Sequence, residues 1–189
     1  MRGGVAFQRL SYLGRMILYS CPLSPQQFNQ KPGFDVERVD GTTLSKEDCA
    51  GILNIWNPSL KALQMSERFA AGCELWLAKV DGRLAGFGWS LQGRTMEPYF
   101  FKIQPDDVHL FDFFVFPAFR GRGINVALVM DILSRLGREG VHCAYIECAA
   151  WNDAQRNSLS KTKFRSYATA SKFRFWGKWI VIWHDLLQG

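Results

Sequence analysis

Residues 112–128 of the chain read Asp112-Phe113-Phe114-Val115-Phe116-Pro117-Ala118-Phe119-Arg120-Gly121-Arg122-Gly123-Ile124-Asn125-Val126-Ala127-Leu128. The apolar run that enters this segment, from His109 to Phe116, has the composition of a buried strand, and Pro117 ends it. A glycine-rich loop follows, and apolar residues then recur every four positions along one helix face, at Ile124, Leu128, Ile132 and Leu136. The segment therefore predicts a strand, a glycine-rich loop and an amphipathic helix in direct succession.

The loop formed by residues 120–123 has the chemistry of an anion site. The first turn of a helix leaves backbone N–H groups unpaired and carries the positive end of the peptide dipoles. Gly121 and Gly123 let the backbone approach a ligand closely, and Arg120 and Arg122 add positive charge. These features suit a pyrophosphate with a neighbouring ribose phosphate. Taken alone, the motif is equally compatible with a surface turn or a basic patch that touches RNA.

The residues before this segment predict two helices and a hairpin. Ser45-Lys46-Glu47-Asp48 has the form of a capping box, and Pro58 marks the start of a second helix. Asp81-Gly82 then joins two β-prone runs, 74–80 and 83–90, in a tight hairpin. Residues 34–39 alternate like a strand.

The residues after the segment predict a strand over 141–148, a helix from Asn152 to about Lys161, and a hairpin that turns at Trp176-Gly177. Residues 34–189 are therefore expected to form one domain. Residues 1–33 are predicted to be an N-terminal appendage, because prolines at 22, 25 and 32 interrupt any regular element there.

The composition of the 189 residues fits a globular domain, with 48% apolar and 21% charged residues. The five cysteines show no CxxC spacing, so no metal site or disulfide framework is expected and a reducing, cytoplasmic setting is favoured. No apolar run reaches the roughly 20 residues that span a bilayer, so no membrane partner is expected. The net charge of +6 suits a partner that carries phosphates, either a nucleic acid or a nucleotide cofactor.

The run from Asp112 to Leu128 resembles the acetyl-CoA-binding motif of the GNAT N-acetyltransferase superfamily. That motif is an apolar strand with Val-x-Pro, then Arg or Gln-x-x-Gly-x-Gly or Ala, and the match begins at Val115 and Arg120. Asn125 stands where the motif ends in a small residue. The resemblance covers about residues 34–183 and implies an α/β fold with a mixed, mostly antiparallel sheet of about six or seven strands and about four helices. Two central parallel strands, 109–116 and 141–148, are expected to splay apart.

The resemblance also implies acetyl-CoA as cosubstrate and an amine as acceptor, with no nucleic-acid partner. In this family the pantetheine arm lies between the splayed strands, and the backbone N–H of Val115 is expected near the oxyanion. The cofactor-binding residues implied in this chain are Phe114, Val115, Phe116, Arg120, Gly121, Arg122, Gly123, Ile124, Asn125 and Asn152.

Proton transfer requires a base and an acid, and the sequence offers candidates for each. Asp112 and Glu147 are carboxylates within apolar strands, where desolvation would raise their pKa; the alternative is that one or both face solvent at a strand end or pair with an arginine. The family's proton donor is a tyrosine, but this chain has Leu159 there and Lys163 in place of a usual glycine. Ser158, Tyr167 or water is left to protonate the thiolate. The alternative, which we favour for both side chains, is that Ser158 is a solvated helix position and Tyr167 a strand residue that packs on the sheet.

We therefore expect an acetyl-CoA-dependent N-acetyltransferase in which a primary amine attacks directly in a ternary complex. The acceptor is an amino sugar, a polyamine, another small amine or a protein amino group. The alternative is a catalytically weak, regulatory acyl-CoA-binding module, which Leu159 and Lys163 favour. A nucleic-acid binder is disfavoured because basic and acidic residues are interspersed. The scattered His109, His142 and His184 are interpreted as structural, and the tryptophan-rich terminal strands leave a homodimer open.

Overall fold

The structure is a computed structural model that describes residues 12–25, 33–55 and 58–186. Its strands are β1 (Tyr12–Pro22), β2 (Asp35–Val39), β3 (Glu74–Val80), β4 (Arg83–Gln92), β5 (Asp107–Val115), β6 (Cys143–Ala149), β7 (Arg165–Phe175) and β8 (Lys178–Leu186). Its helices are α1 (Lys46–Leu53), α2 (Pro58–Ala70), α3 (Ile124–Arg138) and α4 (Asp153–Leu159), and a short 3₁₀ turn (Pro117–Phe119) precedes α3.

These strands form one mixed sheet in the order β2-β3-β4-β5-β6-β1-β7-β8. Neighbouring strands are antiparallel except β5 and β6, which run parallel near the centre. The predicted α/β fold, with a mostly antiparallel sheet, a parallel pair and flanking helices, is confirmed. The described residues contain one strand more than the largest number expected, and the additional strand is β1.

The N-terminal segment differs from the appendage that the sequence predicted. β1 lies between β6 and β7, with Met16 opposite Ala149 on one side and Ala170 on the other. Leu18 at its centre is fully buried. Pro22 is the last residue of the strand, so it ends β1 and does not interrupt it. β1 is thus part of the same sheet as the later strands, whereas residues 1–11 and 26–32 of the predicted appendage lie outside the described residues.

The two faces of the sheet carry different layers. Because successive residues of a strand point to opposite faces, Trp76 of β3 packs on the side of α3, while its neighbours Leu75 and Leu77 pack on the side of α1 and α2. The predicted apolar stripe of α3 is buried in the first of these clusters. The loop that carries Tyr99 and Phe100 covers β1 and β7 on the face opposite α3.

Local signals read from the sequence set the ends of several elements. Ser45 caps α1 by accepting a hydrogen bond from the backbone N–H of Asp48 at 3.1 Å. The two predicted hairpins turn where expected, and the central pairs Asp81-Gly82 and Trp176-Gly177 both have positive φ, as a tight type I′ turn requires. No helix of the described residues is long and apolar enough to cross a membrane.

Candidate active site

The two parallel strands separate in the middle of the sheet. Asp107, Val108 and His109 of β5 pair with residues 143–145 of β6, and no later pair joins these strands in the described chain, although β5 continues to Val115. Asp112 has a φ of 50° and lies where the pairing of β5 with β4 shifts by one residue. This is a β-bulge, which bends a strand and increases its twist. The predicted splay is therefore present, with the bulge on one of its two arms.

The backbone of Val115 points into the gap between the strands. Phe116 donates its N–H to the carbonyl oxygen of Ala85 in β4 at 2.9 Å. Consecutive residues of a strand direct their backbone groups to opposite edges, so the N–H and C=O of Val115 face away from β4, towards the side of β6. The guanidinium of Arg120 occupies this side and donates to the carbonyl oxygen of Val115 at 3.1 Å.

The glycine-rich loop forms an open cradle at the start of α3. Gly121 and Gly123 have φ values of 78° and 74°, a left-handed conformation that favours glycine, and Gly123 is the N-cap of the helix. No heavy atom outside the chain neighbours lies within 4 Å of where a Cβ would stand on either glycine. The space beside both glycines is therefore open, and a phosphate group placed there would meet the unpaired N–H groups at the start of α3.

A cavity of about 280 Å³ extends from this cradle to α4. The predicted cofactor residues on its wall are Val115, Arg120, Gly121, Gly123, Ile124 and Asn125. Asn125 reaches across the cavity wall, donating from Nδ2 to the Ser158 hydroxyl at 2.7 Å, while its buried Oδ1 has no hydrogen-bond partner among the described residues. An unpaired buried acceptor beside a helix N-terminus fits a ligand that carries both N–H groups and phosphates.

The other four predicted cofactor-binding residues are not among the described residues that line this cavity. Phe114 and Phe116 pack against Phe87 on the face opposite α3, with ring centroids 5.8 and 6.4 Å away. Arg122 lies over the ring of Phe119. Asn152 caps α4, where its Oδ1 accepts a hydrogen bond from the backbone N–H of Gln155 at 3.1 Å.

The carboxylate of Glu147 pairs with a histidine at the point where the strands diverge. His109 Nε2 lies 2.9 Å from Glu147 Oε2, and the two side chains are only 8% and 24% exposed. The ring of His109 stacks on Phe111 at 5.2 Å and contacts Tyr99 at 4.8 Å. Its Nδ1 is buried and has no partner among the described residues. A carboxylate and an imidazole in contact form a group that can accept and hold a proton.

The sequence interpretation of His109 as structural missed this pair. His109 and Glu147 are 38 residues apart and belong to no local motif. The signal that would have found them is register: His109 is opposite Tyr145 in the parallel pair, so Glu147, two residues further, projects from the same face.

Asp112 has a different environment from Glu147. Its carboxylate, half exposed at the bulge, forms an ion pair with Arg68 of α2. The side chain of Arg68 is only 15% exposed, and its guanidinium lies 5.1 Å from the ring centres of both Trp89 and Phe111. The carboxylate of Asp112 is therefore already engaged in joining α2 to the bulge.

The two predicted proton donors lie in different surroundings. Ser158 is on the wall of the cofactor cavity and is bonded to Asn125. Tyr167 lies on the face of the sheet opposite α3, beside Phe101 and Tyr145. Its buried hydroxyl has no hydrogen-bond partner among the described residues. Burial raises the pKa of Tyr167, so its hydroxyl is protonated at neutral pH. Leu159, at the position of the family's tyrosine, is fully buried in the core.

Solved structures share this architecture. An acetyltransferase of the GNAT family from Colwellia psychrerythraea has a TM-score of 0.60 and 14% identity, over 87% of this chain and 57% of that one. An acetyltransferase from Bacillus subtilis in complex with CoA has a TM-score of 0.53 and 19% identity, over 70% and 76%. A ribosomal-protein-alanine N-acetyltransferase from Brucella melitensis has a TM-score of 0.54 and 15% identity, over 79% and 96%. At these identities the likeness shows the fold.

This chain spans 62%, 63% and 57% of the length of three of the solved chains that it resembles. No curated protein matches it significantly. Residues 43–164 match the sequence profile of the acetyltransferase (GNAT) family, which is more than half of the chain and includes the splayed strands, the loop and α4. The chain therefore belongs to the acetyltransferase (GNAT) family.

Proposed function

We propose that this chain is an acetyl-CoA-dependent N-acetyltransferase that passes an acetyl group to a primary amine, with Glu147 and His109 as its base. The observation that carries the proposal is the contact of 2.9 Å between these two side chains at the divergence of β5 and β6. We expect the thioester and the acceptor amine to meet near this divergence.

The donor would be held by the loop and by the strand before it. The cradle at Gly121 and Gly123, together with the guanidinium of Arg120, would bind the pyrophosphate. Asn125 would offer its unpaired Oδ1 to an N–H group of the bound molecule. When bound, acetyl-CoA supplies a thioester, whose carbonyl carbon is the electrophile.

The base is needed because an aliphatic ammonium has a pKa of about 10 and must lose a proton before it can attack. Glu147 accepts this proton, and His109 shares it through their hydrogen bond. The backbone N–H of Val115 is directed into the gap, where it would stabilise the negative charge that develops on the carbonyl oxygen. The amine nitrogen adds to the carbonyl carbon. As the C–S bond then breaks, the nitrogen gives up its second proton to solvent, and the thiolate takes up a proton through Ser158, Tyr167 or water.

Four kinds of acceptor remain within the proposal: an amino sugar, a polyamine, another small amine and a protein amino group. Each presents the same ammonium to the base. A panel that contains all four, with free CoA as the measured product, identifies the acceptor.

The test of the proposal is the substitution Glu147→Gln, which keeps the shape of the side chain and removes its basicity. We expect kcat/KM for CoA release to fall by about 10²- to 10⁴-fold while the Kd for acetyl-CoA is unchanged. The matched control is Glu37→Gln. Glu37 is an exposed carboxylate on the edge strand β2, and it pairs with Lys79 of the neighbouring strand. Equal rates for both variants would refute the role of Glu147.

A second candidate function is a regulatory module that binds acyl-CoA without turnover. The buried Leu159 favours it, because no hydroxyl stands at that position to protonate the thiolate. Acetyl-CoA binding by the wild type, without CoA release for any amine of the panel, would support the module over the enzyme.

A further inference from the structure

A second cavity, of about 130 Å³, lies beside the bulge of β5. It is on the side of the sheet that carries α1 and α2, and no step of the proposed reaction uses it. Its walls are formed by Ile55, Lys61, Phe87, Asp112, Phe113 and Phe114.

The position of this cavity connects it to the donor. Asp112, Phe113 and Phe114 are the three residues immediately before Val115, whose N–H faces the gap between the strands. At a rise of roughly 3.3 Å per residue, the cavity begins within about 10 Å of the N–H group that is proposed to hold the thioester oxygen. A group attached to the thioester carbon and directed towards α1 and α2 would enter it.

The lining of the cavity is suited to a hydrocarbon. Phe87 and Phe114 stack with centroids 5.8 Å apart, and Ile55 adds an aliphatic wall. The ring of Phe113 lies over Gly88 of β4, where its Cε1 atom is only 2.3 Å from the place of a Cβ, and it packs against the cluster on the α3 side of the sheet. This ring is therefore not available to collapse into the cavity. The polar wall residues are Asp112, which pairs with Arg68, and Lys61.

The size of the cavity exceeds what an acetyl group fills. A methyl group is about as large as a water molecule, which takes up roughly 30 Å³, whereas an apolar cavity of roughly 150 Å³ holds benzene. An acetyl methyl would occupy only a small part of the 130 Å³. A chain of about four to six carbons would fill it.

We infer that this cavity holds the acyl group of the donor, and that the protein prefers acyl-CoA thioesters with acyl groups of four to six carbons over acetyl-CoA. The inference rests on the proposed function, because it takes the site at Val115 as the thioester site. It assigns Ile55 and Phe87 as residues that determine acyl-chain length.

The test is calorimetric titration with CoA, acetyl-CoA, butyryl-CoA and hexanoyl-CoA, which requires no acceptor and no turnover. We expect Kd to fall by about fourfold for each methylene buried, so that butyryl-CoA binds more than about tenfold tighter than acetyl-CoA. The same Kd for all three thioesters would overturn the inference but leave the proposed function intact. No binding of CoA itself would overturn both.

Two variants locate the effect in the cavity. Ile55→Phe is expected to abolish the preference for hexanoyl-CoA while leaving the Kd for CoA unchanged, and Ile55→Ala is expected to favour still longer chains. The matched control is Ile180→Phe, which adds the same ring to the exposed strand β8. A hexanoyl preference that persists in both Ile55 variants would refute the assignment. If the Ile55 variants change the preference among acceptor amines but not among acyl groups, the cavity binds the acceptor, and the inference is also overturned.

Discussion

Two carboxylates of similar sequence context, Asp112 and Glu147, have separate tasks in the folded chain. Glu147 meets an imidazole in a half-buried position, whereas Asp112 meets the guanidinium of Arg68. The carboxylate of Asp112 is already engaged by a cation, which would have to be displaced before Asp112 could contact the ammonium of an acceptor. This difference in partner separates the two candidates, which their residue types alone could not do.

The substitution Asp112→Asn is expected to affect stability more than catalysis. It leaves the Arg68 guanidinium without its carboxylate, and the side chain of Arg68 is only 15% exposed between two aromatic rings. The expected loss in the free energy of unfolding is about 1–2 kcal/mol, between the values typical of exposed and buried pairs. Urea denaturation measures it. Asp153→Asn is the control, because the Asp153–Arg156 pair is exposed and should contribute less than about 0.5 kcal/mol. A fall in kcat/KM beyond tenfold, with stability unchanged, would instead make Asp112 a base.

The hydroxyl of Ser158 is expected to act in cofactor binding. It accepts the hydrogen bond from Asn125 that fixes the amide in the cavity wall, so Ser158→Ala should weaken CoA binding by about fivefold, the loss of one ordinary hydrogen bond. Titration calorimetry gives the Kd, and the turnover rate at saturating donor should stay constant. Ser160→Ala is the matched control, since Ser160 is exposed and bonds only locally to Asn157 in the described contacts. A large drop in kcat with an unchanged Kd would show that Ser158 is the acid.

Elements whose signals are local could be predicted from the sequence. The two hairpins, the cap of α1 and the succession of β5, loop and α3 each depend on residues within a few positions of one another. β1 is different, because its neighbours in the sheet are β6 and β7, more than 120 residues away. A strand paired on both edges and covered on both faces shows no alternating pattern. The same reasoning applies to His109 and Glu147, and to Asn125 and Ser158, which are brought together only by the register of the sheet and the packing of α4.

β1 is expected to be essential to the stability of the sheet. Leu18 is fully buried in the cluster that includes Tyr99 and Phe100, so Leu18→Ala should lower the free energy of unfolding by about 2–5 kcal/mol. Leu186→Ala removes the same atoms from a side chain that is 77% exposed and should cost less than about 0.5 kcal/mol. Chemical denaturation of both variants compares them directly. If the two losses are equal, β1 does not hold the sheet together.

Across the whole molecule, burial protects an unusual set of weak acids from ionisation. Burial is the largest cause of a raised pKa for Tyr19, Tyr99, Tyr145, Tyr167, Cys21, Cys73, Cys143 and Cys148. The pKa of Tyr19 rises to about 12, and that of Cys21 also rises to about 12. Several of these side chains belong to β1 and β6, near the centre of the sheet. Ionisation of these side chains therefore opposes the folding of this part of the sheet.

The chain should therefore lose stability steeply at alkaline pH. Below about pH 7.5 these phenols and thiols are protonated in both the folded and the unfolded chain, so they contribute no pH dependence. Above that value the unfolded chain releases protons that the folded chain retains, and the free energy of unfolding falls as pH rises. Circular dichroism melts between pH 8 and pH 11, under reducing conditions, should show a falling Tm. Tyr19→Phe keeps the ring and removes one such group, so it should reduce the slope by at most about 1.4 kcal/mol per pH unit between about pH 10 and pH 12. A Tm that is constant over this range would mean that the phenols and thiols ionise without unfolding the sheet, and that water reaches them in the native state.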